Sequence, residues 1–280
     1  MSRVFPVDPA ISERAAAWLF EEQAEDGSWE NDRGLVHEGS WSSLEDDRLP
    51  VTAYIAWSLA TAGYALNPAT QNALEYIETH QAAAKQPYVQ ALVANALVEA
   101  ARASASNSTA VTLSPAAEAA LAALAENAQR DESGVHWGSG VSSYMGGSGV
   151  TADVETTAMA AFVFMRSGRY ADLATSALEY LVKAKDDYGT WHSTLATVMA
   201  LKALLESTRG GSELVDAEVS ILLNGEQVGK VAVNRENFDV VQLVSLNDFN
   251  LRDSNTLELR IAGEGNLMYQ VTGAYYLPWE

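Results

Sequence analysis

Three segments of this 280-residue sequence place a glycine two or three positions before a tryptophan and are each followed by an Ala/Thr-rich stretch: Gly27–Trp29, Gly134–Trp137 and Gly189–Trp191. The three copies end at Trp29, Trp137 and Trp191, and the first interval is twice the second. A fourth, degenerate copy is therefore expected near residue 83. A fixed period of this length is typical of helical repeats, in which no hairpin buries its apolar face alone. The sequence therefore predicts four helical hairpins.

The apolar residues of these units recur with the spacing of amphipathic helices. In the first unit Ile11, Ala15 and Trp18 share one face, and Pro9 after Asp8 marks a helix start. Helices are predicted at 9–23, 50–62, 68–82, 87–103, 115–129, 152–166, 171–185 and 193–207. The residues expected on buried inner faces are Val51, Tyr54, Ile55, Ala158, Phe162, Val198 and Leu201.

After the glycines at 210 and 211 the apolar period changes from that of a helix to that of a strand. The Asn224-Gly225 pair lies between two β-branched runs, which predicts a hairpin with a type I′ turn. Further strands are predicted at 238–244, 255–261 and 267–276. The predicted fold is mainly α with a β module: a helical region at 1–210 and an antiparallel β-sandwich segment at 211–280.

Composition excludes several functions. The net charge of −20, with only 17 basic residues, argues against binding to nucleic acid or anionic membranes. No apolar run reaches the roughly eighteen residues of a membrane span. The chain has no cysteine, which excludes disulfides, thiolate metal sites and a cysteine nucleophile within it. No cofactor is expected.

Several segments, in this order and spacing, resemble one family. They are QAEDGSW at 23–29, LPVTAY at 49–54, YVQALVANAL at 88–97, DVETTA at 153–158, GTWHSTLATVMALKAL at 189–204, NTLELRIAGEG at 255–265 and YQVTGAYY at 269–276. The chain resembles the thioester-containing helical domain of alpha-2-macroglobulins and complement thioester proteins, followed by the distal half of their CUB-like β-domain. This resemblance implies an α/α toroid for the helical region.

The resemblance also implies a function. The parent protein would trap proteases or tag other protein targets, without being an enzyme, in an extracellular or periplasmic setting. The absent disulfides suggest a bacterial or similar source. In this family the reactive bond joins the cysteine and glutamine of a Cys-Gly-Glu-Gln stretch, which this sequence lacks. We expect that stretch upstream of the part seen here.

Resemblance also assigns a role to His37, in the polar loop after the first turn. Family members that acylate hydroxyl groups carry a histidine in this loop, which takes over the acyl group from the thioester. Imidazole suits that role because it is nucleophilic near neutral pH and leaves readily. The alternative is that His37 is an ordinary polar loop residue. For Gln23, Gly27, Trp29, Trp137, Gly189 and Trp191 we expect a structural role that ties one hairpin to the next.

Two other classes of function stay open. The first helix and turn also fit the repeat of squalene and hopene cyclases, toroid enzymes that use a clustered aspartic acid. The best acid candidates here are Asp153 and Glu155, but a threonine follows where that motif has its last aspartate. A glycan-processing toroid would combine Asp46, Asp47, Asp153 and Glu155 with Trp41, Trp137 and Trp191 near one rim. A plain repeat scaffold would bind a partner through its concave rim.

Overall fold

The structure is a computed structural model, which describes residues 8–31, 46–105, 111–210, 216–234, 236–237, 242–246, 249, 251–252, 254–264, 269, 271 and 273. The chain forms two units, Met1–Glu206 and Ser207–Glu280. The predicted boundary between residues 210 and 211 lies a few positions further along the chain. Within the described residues, none of the helices has the length and apolar character that crossing a membrane requires.

The first unit consists of four helical hairpins, including the degenerate one expected near residue 83. Its helices are α1 (Pro9–Glu21), α2 (Arg48–Leu59), α3 (Pro68–His80), α4 (Pro87–Ser104), α5 (Pro115–Glu126), α6 (Val150–Ser167), α7 (Ala171–Lys183) and α8 (Thr194–Gly210). A π-helical segment, Ala60–Tyr64, follows α2, and a 3-10 turn, Gln81–Ala83, follows α3. The prediction of helical hairpins followed by a β module is confirmed.

The helix starts follow from local chemistry. Proline occupies the first turn of α1, α3, α4 and α5, where the missing N–H has no intrahelical partner to lose. The side chains of Asp8, Asn67 and Ser114 each accept a hydrogen bond from a backbone N–H in the first turn that follows. At the other end of α6, Gly168 adopts the left-handed conformation with φ 66°.

The helices form two layers. The second helices of the first three hairpins, α2, α4 and α6, pack side by side, and α3, α5 and α7 each pack on one of them from outside. Burial follows this arrangement: α4 is buried continuously from Tyr88 to Ala100, whereas α7 buries only Ala174, Ala177 and Leu181. Asn95 lies in the middle of the inner layer. Its amide donates to the carbonyls of Ala91 and Met159 and so joins α4 to α6.

A group of charged side chains joins three inner helices near their C-terminal ends. Arg166 of α6 donates to Glu99 of α4 at 2.8 Å and to Glu206 of α8 at 3.3 Å. The Arg102 guanidinium donates to the backbone carbonyl of Arg166 at 2.8 Å. Such pairing matters because a buried charge without a partner is strongly destabilising. Nearby on α8, the Lys202 ammonium lies 4.2 Å from the ring centroid of Trp57 on α2.

The inner face predicted for α8 is wrong. Val198 and Leu201 are 52% and 47% exposed, and the helix instead buries Ala196, Ala200 and Ala203. These alanines recur at helical spacing too, so the periodicity of this segment fits two different faces. Elsewhere Val51, Ala158 and Phe162 are buried as predicted, and Tyr54 and Ile55 are half-buried.

Two short strands of the first unit were not predicted. They are β1 (Gln129–Asp131) and β2 (Gly134–His136), which pair as an antiparallel hairpin. Their formation ends α5 at Glu126, earlier than the predicted residue 129. Each strand has three residues, which is too short for the alternation of apolar and polar side chains to be visible in the sequence.

The second unit contains β3 (Asp216–Leu223), β4 (Glu226–Val233) and β5 (Leu257–Glu264). They form an antiparallel sheet of order β4-β3-β5. Asn224 and Gly225 have φ of 53° and 86°, as the predicted type I′ turn requires. The described part of the strand predicted at 238–244 is not in a strand, which corrects that prediction. Most of the predicted strand at 267–276 lies outside the described residues.

The corrected face of α8 is testable with two leucines of the same helix. Leu201→Ala is expected to lower the free energy of unfolding by less than about 1 kcal/mol, because its side chain is half-exposed. Leu204→Ala is expected to cost about 2 to 4 kcal/mol, because Leu204 is 8% exposed and truncation leaves a cavity. Urea unfolding of both variants measures the difference. Equal losses would contradict the orientation described here.

Candidate functional site

Trp29 joins the two helices of the first hairpin. Its indole Nε1–H donates to the carbonyl of Leu19 in the last turns of α1, at 2.8 Å. Its backbone N–H donates to the Thr52 hydroxyl in the second turn of α2, at 3.0 Å. The side chain is 2% exposed, so these donors have no access to water. We call this pair of hydrogen bonds a tryptophan bridge.

The same bridge occurs in two further hairpins. The Trp137 indole donates to the carbonyl of Leu124 at 2.7 Å and its backbone N–H to Thr157 at 3.1 Å. Trp191 repeats the pattern with the last outer helix, α7: the bonds go to Leu181 at 2.6 Å and Thr197 at 3.2 Å. The threonine follows its tryptophan by 23, 20 and 6 positions in the three hairpins. The bridge is thus independent of the length of the loop between them.

An aspartate closes the turn that leads to each tryptophan. The Asp26 carboxylate accepts from the backbone N–H and the hydroxyl of Ser28, at 3.0 and 2.6 Å. Asp131 accepts in the same way from Ser133, and Asp186 accepts from Thr190. These hydrogen bonds stabilise the charged form and hold the pKa of all three carboxyls below the ordinary value, to about 2 for Asp186.

The turn of the first hairpin also packs on the outer helix of the next hairpin. The Gln23 amide donates to the carbonyl of Gly27 at 2.9 Å and to that of Ala69 in α3 at 2.8 Å. A Cβ on Gly27 would lie 2.5 Å from the carbonyl oxygen of Asn72, also in α3. Gly27 has φ 85°, so both its conformation and its contact require glycine. Gly189, in the corresponding turn before Trp191, has φ 77°.

These residues lie at three separate joints between helices and do not converge on one pocket. Trp137 and Trp191 are fully buried, so neither presents its ring to a solvent-facing rim. The sequence pattern identified these residues because tryptophan is rare and the glycine-tryptophan pairs recur at a fixed interval. It missed Thr52, Thr157 and Thr197. The one available signal was a threonine in each Ala/Thr-rich helix start, where threonine is common for other reasons.

The two acidic candidates of α6 have different environments. Asp153 accepts the backbone N–H of Ser139 at 2.7 Å and so holds the loop before α6. Glu155 is 1% exposed, and neither of its oxygens has a hydrogen-bond partner among the described residues. Burial raises its pKa to about 7, although the hydroxyls of Ser143 and Ser193 lie close enough to lower it in part. Asp153 is half-buried and fixed by its hydrogen bond to the loop, whereas Glu155 is buried without such a bond, so the two carboxyls do not share one environment.

The remaining predicted site residues do not form a site among the described residues. His37 and Trp41 lie outside the described residues, so their roles stay predictions. The Asp46 carboxylate is exposed and pairs with Arg48 at 2.8 Å. Asp47 precedes α2 and its side chain makes no capping hydrogen bond. Over the described part of the chain, no three His, Cys, Asp or Glu side chains are grouped in a way that could hold a metal ion.

Comparison with known families agrees with this hairpin architecture. The family described as the A-macroglobulin TED domain, a thioester-containing domain, matches residues 1–206. This chain belongs to that family. The match includes the first three hairpins and reaches Glu206 in α8, where the first unit also ends. The predicted relation to alpha-2-macroglobulins and complement proteins is confirmed, and the tryptophan bridges are internal joints of this thioester domain.

The energetic weight of a tryptophan bridge can be measured through its threonine. Thr52→Val keeps the shape of the side chain but removes the acceptor of the buried Trp29 N–H, so we expect a loss of about 1 to 3 kcal/mol in unfolding free energy. Thr70→Val is the control, because the buried Thr70 hydroxyl has no hydrogen-bond partner among the described residues. That change is expected to be neutral or stabilising. A Thr52 variant as stable as the control would refute the bridge's contribution.

The environment of Glu155 predicts a dependence of stability on pH. Its folded pKa is raised above the ordinary value of 4.5, so between about pH 4.5 and 7 the folded protein holds a proton that the unfolded chain has lost. The contribution of this residue to stability therefore falls as pH rises through that window. Glu155→Gln removes the dependence, and the variant is expected to gain stability over the native protein from pH 5 to pH 8. Urea titrations at both pH values provide the measurement, and parallel curves would contradict the prediction.

Proposed function

We propose that this chain serves as the thioester-domain region of an alpha-2-macroglobulin-like protein that traps proteases or tags other target proteins. The observation that carries the proposal is the match of the family over residues 1–206, together with the four hairpins that this part of the chain forms. Family membership gives the general class of protein. The trapping or tagging step and its targets are what we infer from that class.

The chain itself cannot form a thioester, because it has no cysteine. The sequence Asn-Gly-Glu-Gln at 224–227 resembles the family motif in its last three residues, but it starts at the turn between β3 and β4 and has no thiol. Any thioester that works with this domain therefore needs a Cys-Gly-Glu-Gln stretch from another part of the parent protein. In this account the domain positions reactive groups and targets and does not itself turn over a substrate.

We place the parent protein in an extracellular or periplasmic setting, of a bacterial or similar source. The support is resemblance: proteins of this class meet the proteases or cells that they capture outside the cytoplasm. The β unit would belong to a CUB-like domain of the parent. Its three antiparallel strands are compatible with part of such a sandwich.

His37 is the residue that we propose for acyl transfer. After a thioester is formed in the parent, the His37 imidazole would attack its carbonyl carbon. The acyl group would then be bonded to the imidazole, and the cysteine thiolate would be released. The thiolate would then accept the proton of a hydroxyl group, whose oxygen attacks the acyl-imidazole; the acyl–nitrogen bond breaks, which leaves an ester on the target, a cysteine thiol and the free imidazole of His37. Alcohols need this assistance because they are poor nucleophiles, whereas amines attack a thioester directly.

The experiment uses the parent protein carrying His37→Ala. We expect transfer to glycerol to fall by a factor of about 100 or more, in the range of a lost catalytic group, while transfer to methylamine changes little. Radiolabelled acceptors and gel separation measure both reactions. His80→Ala is the control, because His80 is an exposed histidine on α3. An equal loss toward both acceptors, or no change toward either, would assign His37 to the structure of its loop.

The alternative is a toroid enzyme that acts on glycans or isoprenoids. One observation favours it, because a buried carboxyl such as Glu155 that keeps a proton near neutral pH suits a general acid. The burial of Trp137 and Trp191 removes two of the aromatic rings that such a rim would use. We expect the purified chain to turn over neither class of substrate. Turnover abolished by Glu155→Gln, in a variant that stays folded, would favour the enzyme.

A further inference from the structure

The segment 138–149, which we call the glycine-serine loop, is fastened to three inner helices. The carbonyl of Ser139 accepts the N–H of Tyr88 in the first turn of α4, at 3.2 Å. The Tyr144 N–H donates to the Tyr88 hydroxyl at 3.3 Å, and the Tyr144 ring stacks on Tyr54 of α2 with centroids 5.2 Å apart. The Ser139 N–H also donates to Asp153 of α6, so the loop has two hydrogen bonds to α4, one to α6 and a ring contact with α2.

The loop backbone lies directly over the Glu155 carboxyl. Ser143 is buried and makes two hydrogen bonds with Gly147. The Ser143 N–H donates to the Gly147 carbonyl at 2.8 Å, and the Gly147 N–H donates to the Ser143 hydroxyl at 3.0 Å. A Cβ on Gly147 would lie 2.8 Å from that hydroxyl and 3.1 Å from Glu155 Oε1. While the loop stays in this position, there is little room to hydrate the carboxyl.

The groups that face Glu155 do not compensate a negative charge. Among the described residues they are Tyr54 from α2, Tyr88 from α4, and the hydroxyls of Ser143 from the loop and Ser193 from the segment before α8. None of these is a cation. Burial is the main cause of the raised pKa of both Tyr54 and Tyr88, and proximity to Glu155 adds to it, because a charge at Glu155 would repel a phenolate. A buried carboxylate without a partner is costly, so the group is expected to hold a proton instead.

We propose that Glu155 is a proton-controlled latch, over which the glycine-serine loop closes when the carboxyl is neutral and from which it is released when the carboxyl ionises. Ionisation requires water or a cation at Oε1 and Oε2, and the Gly147 backbone has to move away to admit either. Release would take Ser143 and Tyr144 with it, because both belong to the same short turn. The surface exposed by release includes the N-terminal part of α4, where Tyr88 lies.

The size of the effect follows from linkage between loop opening and proton loss. In the closed state the Glu155 pKa is about 7, and in an open, hydrated loop it returns to near the ordinary 4.5. The equilibrium constant for opening then rises about tenfold between pH 6 and pH 8 and changes little above that. The opening equilibrium of the loop therefore changes with pH in the range around neutrality.

Hydrogen–deuterium exchange on the full chain tests the proposal. Amide protection across residues 140–149 is measured at pH 6 and pH 8 and corrected for the intrinsic rise of the exchange rate with pH. The native protein is expected to lose protection about tenfold, and Glu155→Gln, which stays neutral and keeps the shape, is expected to lose none. Glu75→Gln, which removes an exposed carboxylate from α3, is the matched control and should behave like the native protein.

Two results would overturn the latch: equal corrected protection of the native loop at both pH values, or the same tenfold change in Glu155→Gln. A second measurement does not depend on any variant. With ¹³C-labelled glutamate, the native chain should show one side-chain carboxyl that titrates near pH 7, in step with the change in loop exchange. A spectrum in which every glutamate is ionised at pH 6 while the loop is closed would also rule out the proposal.

Discussion

The tryptophan bridge is the interaction on which the helical unit depends. The last carbonyls of a helix have no intrahelical partner, and in three hairpins an indole N–H from the following turn reaches back toward that end of the outer helix. The backbone N–H of the same tryptophan binds a threonine of the inner helix. Each large apolar ring is thus buried between two helices and fixes their relative axial position. Both buried donors of the tryptophan, the indole N–H and the backbone N–H, have an acceptor. Gly27 and Gln23 extend the first joint to the next hairpin, so adjacent hairpins share one continuous core.

The sequence was most informative where a rare residue recurs, as tryptophan does, or where a residue favours one backbone conformation, as glycine and proline do. Glycine, proline and tryptophan revealed the four hairpins, and Asn224-Gly225 revealed the β-turn. It was misleading for α8, because Val198 and Leu201 recur with the same period as the alanines that are actually buried. It could not reveal the partners of the tryptophans, since threonine is common in such helices, nor the burial of Glu155, since a glutamate in a helix is usually exposed. His37 lies outside the described residues and its role rests on resemblance.

The residues that hold the helices together are not those for which we propose a chemical role. The bridges and the charged group around Arg166 account for the fold and offer no reactive centre, as is usual for a scaffold that hosts different functions. The two residues for which we propose chemistry are not part of the bridges: His37, whose role stays a prediction, falls between α1 and α2 in the sequence, and Glu155 lies beneath the glycine-serine loop that precedes α6. Glu155 is itself a residue of α6, and the loop above it leads into that helix. In repeat proteins such loops vary most freely, because the hairpin stack does not depend on their length.

Three indole N–H groups, those of Trp29, Trp137 and Trp191, are hydrogen-bonded inside the helical unit. Exchange of indole Nε1 protons, followed by ¹H–¹⁵N NMR after transfer to D₂O, measures this directly. Trp18, which is 56% exposed, provides the internal reference for fast exchange. We predict that the Nε1 protons of Trp29, Trp137 and Trp191 exchange at least about a hundredfold more slowly than that of Trp18, as expected for opening free energies above roughly 3 kcal/mol. Exchange of any of the three at the rate of Trp18 would contradict the bridge at that hairpin.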